Sequence, residues 1–154
     1  MWSRSRAALR LEKPIPRQRA TPRLLLRAVT VWLVLIGAEI GHGVLRTLYL
    51  TPRVGDLRAR QLGVFVGSAL ILVIARLADP WLRARTRGAQ LLVGGVWLAL
   101  TLLFEVTLGR VVLGYSWGRV ASDYDIRRGG LLPFGLVVLA LAPWLAARSG
   151  ARSR

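Results

Sequence analysis

Four long apolar runs constrain the fold of this chain more than any other feature. Each run is close to the ~20 residues that a helix needs to cross the ~30 Å hydrocarbon core of a bilayer. Segments that contain charged residues, proline and glycine separate the runs. The pattern predicts an all-α bundle of four transmembrane helices, placed at about residues 24–50, 57–78, 89–109 and 130–147 of the 154-residue chain.

The composition agrees with a membrane protein. The chain is 54% hydrophobic, yet its 23 Lys and Arg against 7 Asp and Glu give it a net charge of +16. Membrane proteins combine these properties by placing basic residues at the ends of apolar spans. A nucleic-acid-binding module keeps its basic residues on a soluble face instead, so we expect no nucleic-acid partner. With no cysteine and one histidine, disulfides, thiol catalysis and a bis-histidine haem site within one chain are excluded.

The distribution of basic residues predicts the orientation in the membrane. Fifteen of the 23 Lys and Arg lie beside the spans on the side of the two termini, and eight lie on the other side. The positive-inside rule then places both termini in the cytoplasm and the 24–147 domain in the inner membrane. Residues 1–23 and 148–154 are expected to be basic cytoplasmic tails, the first mostly disordered and able to bind anionic lipid.

The connection between spans three and four predicts a short amphipathic helix on the outer surface. Its apolar residues recur at the i, i+3, i+4, i+7 spacing of one helical face, and Ser116 can cap it. Asp123 is expected to pair with Arg119 and Arg127 on the solvated face. Gly129–Gly130 should end the helix. The apolar face comprises Trp117, Val120, Ala121 and Tyr124.

Ionisable residues interrupt the first and third apolar runs. Glu39, His42 and Arg46 share one helical face of the first span, and Thr101 and Glu105 share one face of the third. All the charges fall in the outer half of the membrane. Because an isolated charge near the bilayer centre costs ~2.5–3.5 kcal/mol on insertion scales, we expect these residues to meet inside the bundle. Arg46 is the expected partner of the carboxylates.

Glycines predict how the first two spans pack. Gly37 and Gly41 lie on the face of the first span opposite to its polar stripe, and Gly63 and Gly67 repeat the G-x-x-x-G spacing in the second. Small residues at this spacing allow two helix backbones to approach closely. We therefore expect the two glycine pairs to face each other.

Two interpretations of the polar residues stay open. They are either an ion-pair network that fixes helix register, or a site that opens to the periplasm and binds a small ligand or ion. In the second case the protein could also serve a larger membrane complex or form a homo-oligomer. The pocket candidates are Glu39, His42, Arg46, Thr101, Glu105, Arg110 and Asp125.

The chemistry of such a site also has alternatives. Glu39 and His42 have the i, i+3 spacing of carboxylate-bridged metal centres in helical bundles. With Glu105, they are the candidate ligands of a single metal ion, which would make the protein a metal-dependent membrane enzyme. A protonatable carboxylate with His42 as a relay is the other option. We expect a non-enzymatic protein and can name no cofactor.

Four segments resemble a group of small, uncharacterised bacterial four-span membrane proteins. The resemblance covers about residues 28–148 and implies the fold and a bacterial inner membrane, but no activity. The segments are "AEIGHGVLRTLYLTPRVGDLRARQLGVFVGSAL", "LLVGGVWLALTLLFEVTLGRVVLG", "SWGRVASDYDIRRGGLLPFG" and "LALAPWLAA".

A second resemblance is to the small multidrug-resistance transporters. They also have four helices and a membrane-embedded Glu in the first, in a context similar to "GAEIG" around Glu39. This resemblance implies proton-coupled export as an alternative function. The chain departs from that family in its second membrane carboxylate, Glu105, in its long basic tail and outer connection, and in its strong charge bias.

Overall fold

Four long helices dominate the structure, as the apolar runs predict. The computed structural model describes residues 22–151, and within this range there is no strand. Each of the four long helices is long and apolar enough to cross a membrane. The protein is therefore a multi-pass, all-α membrane bundle. Its helices are α1 (Pro22–Val54), α2 (Asp56–Leu82), α3 (Arg87–Val112), the short α4 (Trp117–Ser122) and α5 (Leu132–Ala151).

The predicted basic tails lie mostly outside the described residues. Where the predicted tails do fall within them, at residues 22–23 and 148–151, the backbone is already helical. We call the end of the bundle where α1 begins and α5 finishes the terminal end. The opposite end, where residue 55 and residues 113–131 join the helices, is the connection end.

The long helices form a ring in which each packs against two neighbours. The first helix, α1, packs against α2 and α3, and α5 packs against the same two helices. As a result, α1 and α5 occupy opposite corners of the bundle. A space enclosed by the ring is therefore lined by all four long helices.

Both α1 and α3 change from α- to π-helical hydrogen bonding near the connection end. In α1 this occurs at Arg46–Leu50, after which Thr51–Val54 continues as α-helix. The predicted end of the first span at about residue 50 is thus corrected to Val54. Pro52 stands in the first turn of the new α-helical segment, a position that tolerates proline. In α3 the π segment is Leu108–Val112.

The second span extends slightly beyond its predicted end at about residue 78. Pro80 lies inside the last turn, and the helix ends at Leu82 because Arg83 adopts a left-handed conformation with φ 55°. The hydroxyl of Thr86 then caps the first turn of α3.

The short helix α4 begins where the sequence predicts. The Ser116 hydroxyl accepts a hydrogen bond from the backbone N–H of Arg119 at 3.2 Å. The helix is shorter than predicted, and a 3₁₀ turn at Ile126–Arg128 follows it. Gly129 closes that turn at φ 83°, a left-handed conformation that glycine adopts without strain. The last span then begins at Leu132.

The terminal half of the bundle is densely packed. Trp97 is completely buried there, and its indole N–H donates to the carbonyl of Ala28 at 2.8 Å. Gly94 allows α3 and α5 to touch, because a Cβ at this position would lie 1.9 Å from the carbonyl oxygen of Ala140. The core residues are Leu24, Ala28, Val31, Leu35, Ile71, Ala75, Leu82, Ala84, Ala89, Val93, Trp97, Leu139, Ala142 and Ala146.

The predicted contact between the two glycine pairs is absent, which corrects the packing expected for α1 and α2. Gly37 and Gly41 are exposed, and a Cβ at either position would meet no atom within 4 Å. Gly63 and Gly67, in contrast, are buried and closely contacted by side chains. The helix α1 is therefore rotated so that its polar stripe, not its glycine face, meets α2.

Candidate functional site

A cavity of about 740 Å³ occupies the connection half of the bundle. All four long helices and the 113–131 connection line it, and most of its wall is aliphatic. Its size falls within the ~300–1,000 Å³ of small-molecule sites. Its polar side chains include Glu39, His42, Arg46, Thr47, Arg60, Gln61, Ser68, Thr101, Glu105, Ser122, Asp123 and Arg128.

The polar stripe of α1 reaches this cavity across the glycines of α2. Nδ1 of His42 lies 3.3 Å from Oε2 of Glu39, within hydrogen-bonding distance, and Arg46 follows one turn later. A Cβ at Gly67 would lie 2.9 Å from Oε2 of Glu39, and a Cβ at Gly63 would lie 2.7 Å from Cδ of Arg46. The two glycines therefore make room for charged side chains and not for a neighbouring backbone.

Several charges in the cavity wall lack an ionic partner. Within the described part of the chain, Arg46 forms no ion pair, which corrects its predicted pairing with a carboxylate; its side chain lies over Gly63 instead. Among the same residues, Glu105 forms neither an ion pair nor a hydrogen bond through its side chain. The Oε1 atom of Glu39 is buried without a hydrogen-bond partner. The cavity wall therefore carries charged groups of both signs that lack an ionic partner. Such groups are costly in a low-dielectric site.

A contact between α1 and α3 separates the packed core from the cavity. Trp32 donates its indole N–H to the Thr101 hydroxyl at 3.0 Å, and its ring packs edge-on against Phe104 at 6.4 Å between centroids. Glu105 lies one turn closer to the connection end. It lines both the main cavity and a smaller one of about 70 Å³ beside Tyr124.

The metal-site hypothesis has no ligand set in this structure. Among the described residues, no three His, Asp or Glu side chains are arranged to hold a metal ion. Glu39, His42 and Glu105 share the wall of the cavity, but they do not converge on one point as metal ligands must.

A closed ring of four ion pairs ties the connection to α2. Arg60 contacts both Asp56, at 3.2 Å, and Asp123, while Arg119 lies 3.7 Å from Asp56 and 3.9 Å from Asp123. Asp123 thus pairs with Arg119 as predicted, but its second partner is Arg60 and not Arg127. The ring holds α4 beside the cavity at the connection end.

Arg110 and Asp125 were candidates for the pocket, and neither lines it. The guanidinium of Arg110 lies 4.7 Å from the centroid of the Trp117 ring. Asp125 pairs with Arg128 at 3.3 Å and caps the 3₁₀ turn. Both residues stabilise the connection itself.

Three polar cavity residues of α2 were not among the pocket candidates from the sequence: Arg60, Gln61 and Ser68. The amide of Gln61 donates to a carbonyl of the connection at 3.1 Å, and the Ser68 hydroxyl is buried without a partner. A signal for Arg60 exists, because it stands at i with Gly63 and Gly67 at i+3 and i+7, on one helical face.

Tyr124 has a buried hydroxyl beside the smaller cavity. No described group accepts or donates a hydrogen bond to this hydroxyl. Burial, reinforced by the negative charges of Glu105 and Asp123, raises the pKa of the Tyr124 phenol. Tyr124 lies in the connection, outside the spans, and it stays neutral over the physiological range.

The main cavity opens sideways. Several aliphatic lining residues are about half exposed, among them Ile40 at 49%, Val44 at 52%, Leu48 at 62% and Leu113 at 51%. The π segment of α1 packs against α2, whereas the hydrogen bonds between α1 and α3 lie closer to the terminal end. The connection ends of α1 and α3 therefore border a lateral opening with aliphatic edges.

Comparisons of the whole chain with known proteins found no relative. No family model matches the sequence, and neither curated proteins nor solved structures give a match.

Proposed function

We propose that this protein is a bacterial inner-membrane protein that binds a small amphipathic molecule in the cavity between its helices. One observation carries the proposal: aliphatic walls and unpaired charged groups coincide in a single cavity of about 740 Å³. The unpaired groups are the Arg46 guanidinium, the Glu105 carboxylate and the Oε1 atom of Glu39. Ionisable residues at membrane depth commonly mark functional sites because their burial is costly.

The alternative of a purely structural lock has less support. A buried lock needs each charge to face an opposite one, because an unpaired buried charge destabilises the fold. In the described structure Arg46 pairs with neither Glu39 nor Glu105. The ion-pair ring of Asp56 and Arg60 with the connection has the geometry of a lock, and it lies at the more exposed end of the bundle.

Two glycines of α1 provide a matched test. A Cβ at Gly41 or at Gly43 would meet nothing within 4 Å, yet only Gly43 lines the cavity. Gly43→Leu should therefore fill part of the cavity without a clash, and Gly41→Leu should leave it unchanged. Native mass spectrometry of protein released directly from membrane vesicles should show a retained small molecule on the wild type and on Gly41→Leu, but not on Gly43→Leu. Identical spectra for the three proteins would contradict ligand binding.

The orientation belongs to the same proposal. We place both termini in the cytoplasm and the cavity in the periplasmic half of the membrane, supported by the fifteen-to-eight distribution of basic residues. Reporter fusions at Gly55 and Ser122 should give periplasmic signals, and a fusion at Thr86 a cytoplasmic one. A cytoplasmic signal at Ser122 would reverse the assignment. Binding of anionic lipid to the N-terminal tail, and assembly into a homo-oligomer or membrane complex, stay predictions.

Proton-coupled transport of an amphipathic cation is a second candidate function. The observation that favours it is the Glu39 carboxylate, which has one oxygen against His42 and the other buried without a partner. A carboxylate in this setting can exchange a proton for a cation, and a neighbouring imidazole can relay the proton. Proteoliposomes with an imposed proton gradient should then move ethidium, and Glu39→Gln should abolish the movement. If the wild type does not move ethidium along the proton gradient, transport is contradicted and ligand binding is the proposed function that remains.

A further inference from the structure

We infer that the ligand of the cavity is a zwitterionic phospholipid whose head group carries a phosphate and a primary amine, and that it enters from the bilayer between α1 and α3. The inference rests on the proposed function, because it names the class of molecule that the same cavity binds.

The unpaired charges in the cavity wall favour a ligand that carries both a negatively and a positively charged group. Arg46 offers a guanidinium, whose planar fork matches two phosphate oxygens. Glu39 and Glu105 offer carboxylate oxygens that can accept hydrogen bonds from an ammonium group. A simple amphipathic cation would satisfy the carboxylates but leave Arg46 unpaired. A simple anion would leave Glu105 and the Oε1 atom of Glu39 without a partner.

The route into the cavity favours a molecule that is already in the membrane. The ion-pair ring of Arg60 and its partners holds α4 against α2 at the connection end. The lateral opening, in contrast, has exposed aliphatic edges at Ile40, Val44 and Leu48. Such edges suit acyl chains, which would stay in contact with the surrounding lipid while the head group enters the cavity.

The volume of the cavity agrees with partial entry. About 740 Å³ holds a drug-sized molecule, which is sufficient for a phospholipid head group and the first part of its chains. The remainder of the two chains would extend through the opening between α1 and α3. The site therefore selects the head group, because every phospholipid of the membrane has similar chains.

The test compares lipids that differ only in the head group. The delipidated full-length protein in detergent micelles is titrated with phosphatidylethanolamine, phosphatidylglycerol, phosphatidylcholine and free phosphoethanolamine, and binding is followed by native mass spectrometry and thermal shift. We expect phosphatidylethanolamine to bind about tenfold more tightly than the other lipids, since only its head group combines a positive charge with N–H donors for the carboxylates while its phosphate pairs with Arg46. Free phosphoethanolamine should bind more weakly than the lipid.

Single substitutions test which residue binds the phosphate of the head group and which binds its ammonium. Arg46→Gln and Glu105→Gln should each fold, because no described partner depends on either charge, and each should lose about tenfold in affinity for phosphatidylethanolamine. Arg58→Gln is the matched control at the same end of the bundle, because Arg58 is exposed and does not line the cavity. Circular dichroism and size-exclusion chromatography verify the fold of each variant.

The outcomes separate this inference from the proposed function. Equal binding of the three lipids, or equal binding of free phosphoethanolamine and the lipid, overturns the zwitterionic phospholipid. If the lipids fail but Gly43→Leu still loses a retained molecule that Gly41→Leu keeps, the cavity binds a ligand of another class. If those two glycine variants do not differ either, the proposed function itself is wrong.

Discussion

At the scale of single residues, the adjacent glycines Gly94 and Gly95 differ sharply in the space that surrounds them. A Cβ at Gly94 would lie 1.9 Å from the carbonyl oxygen of Ala140, whereas a Cβ at Gly95 would meet nothing within 4 Å. Gly94→Ala should force α3 and α5 apart and lower the free energy of unfolding by ~1–3 kcal/mol or more. Gly95→Ala should leave it unchanged or slightly higher, because alanine favours the helix. Thermal unfolding of the two variants in detergent measures the difference, and equal stability would contradict the close contact.

Tyr124 gives a prediction about pH. Its hydroxyl is buried without a partner, and burial raises the pKa of its phenol. The neutral phenol is the form that the fold favours, so the stability it contributes is complete below the ordinary tyrosine pKa of ~10. This stability is lost as the pH rises from that value through the raised one. Tyr124→Phe should be at least as stable as the wild type near neutral pH and should lose less stability above pH ~10.

The exposed Tyr49 is the control for this measurement. Tyr49→Phe should follow the wild type when unfolding temperatures are measured across the alkaline range. If Tyr124→Phe also follows the wild type throughout, the buried phenol does not contribute to the alkaline loss of stability.

The positions of the polar residues could be predicted from the sequence, but their partners could not. Helical periodicity alone places Glu39, His42 and Arg46 on one face, and the structure has all three in one cavity wall. Periodicity does not specify what that face meets. Arg46 lies over Gly63 of α2, so the expected pairing with a carboxylate is absent among the described residues.

At the scale of elements, the four spans follow from apolar length, while their ends depend on local backbone detail. The π segment at Arg46–Leu50 changes the hydrogen-bond register directly before the turn that contains Pro52, and the helix continues past this proline. A hydropathy pattern contains no information on such a shift. The G-x-x-x-G spacing is similarly ambiguous, because glycine makes room for a neighbouring backbone or for a large side chain. At Gly63 and Gly67 it makes room for side chains.

The ion-pair ring makes the connection a separate unit whose attachment can be weakened. Arg60 is the member with two strong contacts, to Asp56 and to Asp123. Arg60→Gln should change global stability by only ~0.2–1 kcal/mol per partly exposed pair. It should accelerate amide hydrogen exchange in α4 and the following turn while exchange around Trp97 stays slow. Arg58→Gln is the control, and unchanged exchange in Arg60→Gln would show that the ring does not hold the connection.

At the scale of the whole molecule, the bundle divides into a packed terminal half and a hollow connection half. Hydrophobic residues of all four long helices fill the first, around Trp97 and Val93. The second surrounds a cavity with unpaired charges and a lateral opening. Length and hydropathy predict the four helices, and the depth of the charges predicts which half is polar. The volume of the cavity depends on how the helices pack around it, which no single-helix pattern contains.

Two positions on α5 test this division most directly. Gly135 and Ala142 are seven residues apart on one helical face, but Gly135 lines the cavity whereas Ala142 is completely buried in the packed half. The chain has no cysteine, so Gly135→Cys and Ala142→Cys would each carry its only thiol. A small charged methanethiosulfonate reagent should modify the purified Gly135→Cys protein rapidly and the Ala142→Cys protein only after unfolding. Equally slow modification of both thiols would contradict a hollow connection half.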